Sequence, residues 1–264
     1  MDLGTTKMIA RTEGGIGWMI FNQPEKHNAV SYEMWLAVPK IIAAFEADPA
    51  VRVIVLAGAG EKAFVSGADI SEFEKKRDSE EAIKTYDAAG TAAHAAMDAA
   101  LKPTISMIRG ICIGGGLAIT LSTDMRICSS DSVFAVPAAR LGLGYRYSGI
   151  KRLVDIVGPA FAKEIFFSAG KFTAEDARIM GLVNRVVSPA ELETYVQKVA
   201  STISGNAPLT IKAAKLAINA AVEDPDRRGF ADIDAAIKAC FASADYIEGR
   251  RAFMEKRKPA FKGR

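Results

Sequence analysis

The triplet Gly114-Gly115-Gly116, directly before the apolar run Leu117–Ser122, is the segment of this sequence best suited to chemistry. Glycines let a backbone approach a ligand closely, and the unpaired N–H groups at a helix start point outward, a geometry that accepts an oxyanion. The same triplet also suits a tight turn or a close packing contact, and both readings stand at this point. It lacks the G-x-G-x-x-G spacing of a dinucleotide site, and no G-x-x-x-x-G-K-[ST] occurs, so nothing points to nucleotide phosphates. A second breaker, Ser66-Gly67-Ala68-Asp69, interrupts the extended segment Ala63-Phe64-Val65. Of the two histidines, His27 falls in a loop and His94 on an apolar stripe, where it reads as a hydrogen-bonded core or cavity-wall residue.

These segments must be held by regular elements, and the hydrophobic periodicity supplies them. Ile16–Phe21, Val51–Leu56, Thr104–Ile108, Met125–Cys128 and Val133–Val136 read as strands bounded by turn residues. Trp35, Val38, Ile42 and Phe45 recur at helical spacing between a candidate N-cap, Ser31, and Asp48-Pro49. Ile83, Tyr86, Gly90, His94, Met97 and Leu101 predict an amphipathic helix over 79–101, ended by Lys102-Pro103. Thr173-Ala-Glu-Asp176 resembles a capping box with Gly181 as the C′ residue, and from Ile150 onward the pattern is almost entirely helical. Strands alternating with helices imply an α/β core over 1–200, followed by a helical region over 201–264.

Composition bounds the function. Half of the 264 residues are hydrophobic and a quarter charged, which excludes disorder as the main theme; a net charge of +3 is too small to imply nucleic acid. The three cysteines, Cys112, Cys128 and Cys240, fit neither a zinc site nor a disulfide scaffold, so a reducing compartment is expected. With neither a signal-peptide core nor a stretch of ~18 apolar residues, the expectation is a cytoplasmic protein without a membrane partner.

Taken together in order, Ala63-Phe-Val-Ser-Gly-Ala-Asp69, Lys102-Pro-Thr-Ile, Gly110-Ile-Cys-Ile-Gly-Gly-Gly116, Asp124-Met-Arg-Ile, Thr173-Ala-Glu-Asp-Ala and Gly181-Leu-Val-Asn resemble the crotonase (enoyl-CoA hydratase/isomerase) superfamily. The resemblance runs from about residue 13 to Phe253-Met-Glu-Lys-Arg-Lys-Pro. It implies a spiral of ββα units with a C-terminal helical trimerisation region, a homotrimer or dimer of trimers, and an acyl-CoA substrate with no separate metal or redox cofactor. It further implies that the N–H groups of Ala68 and Gly115 hold the thioester oxygen as it becomes an enolate oxygen. Fixed donors aimed at developing charge stabilise it without reorganising, and losing one typically costs about 3–4 kcal/mol. Carried over by motif, CoA contacts fall on Lys26, Ala29, Ala68, Asp69 and Ile70, and on Phe253 and Lys256 from a neighbouring subunit.

The sequence departs from that pattern at two positions. Hydratases of the family use one glutamate two residues after the glycine triplet and one directly after the proline of Phe-x-x-Pro; here these are Ala118 and Ala138. Alanine neither deprotonates water nor protonates an α-carbon. Loss of CO₂ from a malonyl-type thioester generates the enolate with no base, and then needs only a proton donor. Leu141-Gly-Leu-Gly-Tyr145-Arg-Tyr-Ser-Gly149 resembles the methylmalonyl-CoA decarboxylase branch, with Tyr145 matching its active-site tyrosine, although that branch has a histidine where this chain has Ala68. Arg140 or Arg146 would pair with a substrate carboxylate. The expectations are therefore decarboxylation of a short malonyl-type thioester, with Ala68, Gly115 and Tyr145 catalytic and Arg140 substrate-binding. Hydration or isomerisation through Asp69, Tyr145 or His94, and acyl-CoA binding without turnover, are the alternatives.

Overall fold

The computed structural model describes residues 2–69, 71 and 79–264. The strands form two sheets. A six-stranded sheet runs in the order β1 (Met8–Glu13), β2 (Ile16–Phe21), β3 (Val53–Gly58), β5 (Thr104–Ile108), β7 (Met125–Ser129), β10 (Arg185–Val187). A four-stranded sheet runs β4 (Ala63–Val65), β6 (Ile111–Ile113), β8 (Val133–Ala135), β9 (Lys171–Thr173). Successive strand pairs β3/β4, β5/β6 and β7/β8 each place their first strand in the large sheet and their second in the small one. All neighbours among them are parallel, so each turn of the chain adds one strand to both sheets. This is the expected ββα spiral. Antiparallel β1 and β9 close one edge of each sheet.

Helix α1 (Tyr32–Ala47) and helix α2 (Glu80–Asp98) cover one face of the large sheet. Alternation along β3 explains how both faces are covered: Ile54 and Leu56 pack toward these helices, while Val53 and Val55 pack under α7 (Leu192–Ser204) through Leu192, Val196 and Ala200. Along α2 the buried positions are Tyr86, Ala89, Ala93 and Met97, with Ile83 and Leu101 more than a third exposed at the ends of the predicted stripe.

Between β6 and β7 lies α3 (Gly115–Leu121), followed after β8 by the single turn α4 (Ala138–Leu141) and then α5 (Tyr147–Ser168), which is interrupted at Gly158. Past Ile150 the chain is not purely helical, because β9 and β10 extend the two sheets there. Three-residue strands are too short to leave a period-2 signature, which is why the sequence conceals them. The capping box at the start of α6 (Ala174–Ile179) is formed as read: Thr173 Oγ1 accepts from the Asp176 N–H at 3.1 Å, and Asp176 Oδ2 accepts from the Thr173 N–H at 2.8 Å. The helices α8 (Pro208–Val222), α9 (Phe230–Ala242) and α10 (Ala244–Met254) end the chain. Lys215 of α8 reaches the sheet, donating to Asp124 Oδ2 at 2.8 Å and to the Lys102 carbonyl at 3.0 Å. Among the described residues no helix is long and apolar enough to cross a membrane.

Candidate active site

Strand pairing aims the Ala68 N–H. Val30 forms a parallel bridge to Ala68, its N–H donating to the Gly67 carbonyl at 2.8 Å and its carbonyl accepting from the Asp69 N–H at 2.9 Å. Flanking residues thus spend their polar groups on Val30, and the backbone alternation turns the Ala68 N–H to the opposite side. On that side stands the start of α3. A Cβ placed on Gly115 would lie 3.6 Å from the Ala68 nitrogen. Among the described residues neither the Ala68 N–H nor the Gly115 N–H donates to a protein acceptor, the latter because the first helical N–H has no partner within its helix. Two unpaired donors side by side have the geometry that an oxyanion hole requires, and the site they flank is called the hole below.

Glycine is required at two points of this construction. Gly114 has φ 55° and ψ −113°, open to glycine and closed to an L side chain. A Cβ on Gly116 would meet the Val65 carbonyl oxygen at 2.1 Å, so only glycine lets α3 come this close to β4.

A polar network holds the Ala68 loop from below. Asp69, 4 % exposed, accepts from Lys26 Nζ at 2.8 Å, from Gln23 Nε2 at 3.3 Å, and from the Ser71 N–H and O–H at 3.1 and 2.6 Å. Burial alone would raise the carboxyl pKa, but the bonds from Lys26, Ser71 and Gln23 outweigh it and bring it to about 2. Asp69 is therefore an ionised anchor turned toward its own loop. Buried Asn28 straps that loop down: it donates to the Ala59 and Ala63 carbonyls at 2.9 and 2.8 Å and accepts from the Gln23 N–H at 2.9 Å. Its φ of 55° and that of His27, 52°, make the turn that buries Ala29. Asn next to a left-handed turn was the signal available in the sequence.

Beside the hole a cavity of about 350 Å³ opens between α2, α3 and α5. Its floor is apolar, with Leu117, Leu121, Val136, Leu153 and Phe166, and Gly114 and Ala118 connect it to the hole. Ala118 thus lies on the wall and Ala138 is buried; neither brings a carboxylate. Tyr145 lines the cavity and packs edge-on against Phe166 at 5.1 Å between ring centroids. Burial pushes its phenol up, so at neutral pH it holds its proton. His94 is a wall residue as read: Nδ1 lies 3.0 Å from Ser122 Oγ and the ring lies 5.6 Å from that of Trp35. Burial, together with the charge of Arg152, lowers its pKa to about 4, leaving the imidazole neutral.

Arg140 does not reach this cavity. In the single turn α4, Ala138 faces inward, and the residue two positions on points roughly the other way, leaving Arg140 exposed. The arginines on the wall are Arg146 and Arg152 instead, paired with Asp87 (3.1 Å) and with Asp98. Arg152 was missed in the sequence, although its i+3 spacing from Gly149 puts both on one face of α5. Phe253 and Lys256, at the exposed end of α10, lie outside the cavity of their own chain. Ile70 lies outside the described residues.

Comparison with known proteins identifies the family and the fold. The family model described as enoyl-CoA hydratase/isomerase matches residues 11–264. A short-chain-enoyl-CoA hydratase of Clostridium acetobutylicum is 34 % identical over 97 % of this chain and 98 % of that protein. A crotonyl-CoA hydratase of Syntrophomonas wolfei is 34 % identical over 96 % and 97 %. A crystal structure of an enoyl-CoA hydratase/carnithine racemase from Magnetospirillum magneticum superposes with a TM-score of 0.93 at 33 % identity, covering 98 % of this chain and 97 % of that one. The chain belongs to the enoyl-CoA hydratase/isomerase family of the crotonase superfamily, and is an acyl-CoA enzyme of that fold.

Proposed function

We propose that this enzyme decarboxylates a short malonyl-type CoA thioester, using Ala68 and Gly115 to hold the enolate and Tyr145 to protonate it. One observation carries the reading. The two positions for hydratase carboxylates hold Ala118 and Ala138, and Asp98, the one carboxylate on the cavity wall among the described residues, is paired with Arg152. With the thioester oxygen between the two N–H groups, the bond from Cα to the carboxylate breaks and its electron pair enters the enolate as CO₂ leaves. The Tyr145 O–H then passes a proton to Cα, and the phenolate recovers one from water. An amide hole needs no side-chain charge at position 68, which accommodates alanine there.

Supporting details concern assembly and location. Phe253 and Met254 on α10 and Phe230 and Phe241 on α9 are more than 60 % exposed, an apolar surface suited to a homotrimer or dimer of trimers in which Phe253 and Lys256 serve a neighbour's CoA. Cys112 and Cys128, buried free thiols, suit a reducing cytoplasm. No cofactor beyond the CoA of the substrate enters the scheme.

The test is to incubate the protein with crotonyl-CoA and with methylmalonyl-CoA in parallel and follow both by mass spectrometry. Loss of CO₂ from the second alone is expected. Hydration of the first alone overturns the reading in favour of a hydratase, which the relatives' names favour and for which His94 stands ready: its partner Ser122 lies one helical turn after Ala118. Acyl-CoA binding with neither product identifies a binding protein.

A further inference from the structure

We propose that Arg126 is a positioning residue of the oxyanion hole: from the C-terminal end of α3 it fixes where the Gly115 N–H stands at the other end. The inference rests on the reading of Ala68 and Gly115 as the hole, and not on which bond the enzyme then breaks.

The hole cannot be clamped on the side that faces substrate. Its two N–H groups must stay unpaired to serve, so whatever keeps α3 in register with Ala68 has to grip the helix elsewhere. With seven residues, and glycine at its N-cap and first two positions, α3 is too short to be placed by its own hydrogen bonds, since isolated helices of fewer than ~12 residues are marginal in water. At its start the Gly114 N–H donates to the Ala135 carbonyl at 2.9 Å and Gly116 packs on the Val65 carbonyl. The other end needs an anchor of its own.

Arg126, from the motif Asp124-Met-Arg-Ile, supplies it. The residue lies on β7 and is 6 % exposed. Nη1 donates to the Thr120 and Thr123 carbonyls at 3.1 and 2.7 Å, at and just past the end of α3, where the helix supplies no further N–H. Nε donates to the Leu182 carbonyl at 2.7 Å, in the segment before β10. Neighbouring hydroxyls complete the tie: Thr123 Oγ1 donates to the Thr120 carbonyl at 2.8 Å, and Ser106 Oγ of β5 lies 2.9 Å from it. Asp124 is engaged by Thr104 and Lys215, and among the described residues Arg126 has no carboxylate in ion-pair contact. Burial brings its guanidinium down to about 10 against the pull of Asp124, so it stays a cation at neutral pH and keeps every donor. A planar fork holds its donors in fixed relation, so the end of α3 and the Leu182 segment keep one mutual geometry. The two-turn helix then carries that placement to Gly115, roughly 10 Å along the axis. Misplacing a catalytic group by about 1 Å can cost about 10²-fold in rate, which is why the grip matters to the hole.

The test reads the hole directly. Butyryl-CoA carrying ¹³C at the thioester carbon is bound to the protein, and its carbonyl band is followed by isotope-edited infrared difference spectroscopy; hydrogen bonds to the oxygen lower the frequency. In the unaltered protein the band should lie below that of the free thioester. In Arg126→Met the downshift should fall toward about half, the share that the Ala68 donor supplies alone. Affinity for free CoA, which has no acyl carbonyl, should stay unchanged by calorimetry. Should Arg126→Met no longer bind CoA, Arg126→Lys, which keeps the cation but not the fork, is read in its place and should show a smaller loss. A full downshift in the variant that is read, or loss of CoA binding by both, overturns the proposal and leaves Arg126 a residue of the fold alone. No downshift in the unaltered protein overturns the reading of the hole itself.

Discussion

The hole and the cavity wall beside it are built by opposite means. The hole is backbone: its donors belong to Ala68 and Gly115, one aimed by the Val30 bridge and the other by the start of α3, and no side chain contributes a charge. The wall is side chain: His94 on α2, Arg152 on α5, and Tyr145 and Arg146 just before α5 stand over an alkyl floor. A backbone device survives substitution wherever the chain path is kept, so it marks the family. Wall residues change freely without disturbing the path, so they select the reaction. Ala118 and Ala138, the positions that the family resemblance implies for hydratase glutamates, illustrate the division: neither brings a carboxylate, while the Ala68 and Gly115 N–H groups stand beside them.

Removing one hole donor should produce the largest effect. Gly115→Pro deletes an N–H that the helix leaves unpaired and places proline where a first turn tolerates it, so turnover should fall about 10²- to 10³-fold in a protein that still folds. Steady-state kinetics check this, and unchanged turnover in Gly115→Pro would show that the N–H is not what matters.

On the wall, His94 should govern acid stability. Its folded pKa of about 4 lies below the ordinary 6.5, so the unfolded chain binds the proton more readily; the contribution is complete above 6.5 and lost as pH falls through about 4. The swing is on the order of 3 kcal/mol. Urea denaturation from pH 7 to 4 should show it, and His94→Gln should flatten that window.

Tyr145→Phe, which keeps the packing against Phe166, should slow product formation about 10²-fold or scramble the stereochemistry of protonation in D₂O. Unchanged rate and stereochemistry would take Tyr145 out of the chemistry.

The smallest effect belongs to the support under the hole. Asp69 titrates near 2 instead of 3.8, so its contribution is present above 3.8 and lost as pH falls through about 2. This loss, on the order of 2 kcal/mol, falls below the His94 window on the same denaturation series, so Asp69→Asn should alter only the lower one. The wall and the hole would thus report separately.

Much of this was legible in the chain. Glycines at 114–116 marked a helix start open to an oxyanion, and the 2.1 Å approach of a Gly116 Cβ to the Val65 carbonyl oxygen shows why glycine stands there, whereas the part of Ala68 was implied only by the family resemblance. The strands β2, β3, β5 and β7 were visible because buried parallel strands read as continuous apolar runs. Between Arg140 and Arg146 the sequence does not decide, because proximity to Pro137 says nothing of which way a one-turn helix faces, and it leaves Arg152 unmarked. Asp69 was expected at the substrate, but its place under the loop depends on Lys26 and Gln23, more than 40 residues away.

By itself, then, the sequence determined an α/β alternation and a glycine-rich helix start open to an oxyanion, because backbone conformation and hydrophobic period are local properties, while the ββα spiral, the paired donors and the glutamate positions were implied by the family resemblance that its motifs carry. Only the tertiary structure decided that Ala68 faces Gly115, that His94 is neutral, and that Arg146 and Arg152 line the cavity. Those facts depend on how α2, α3 and α5 pack together, and the burial and charge fields that result belong to no single segment.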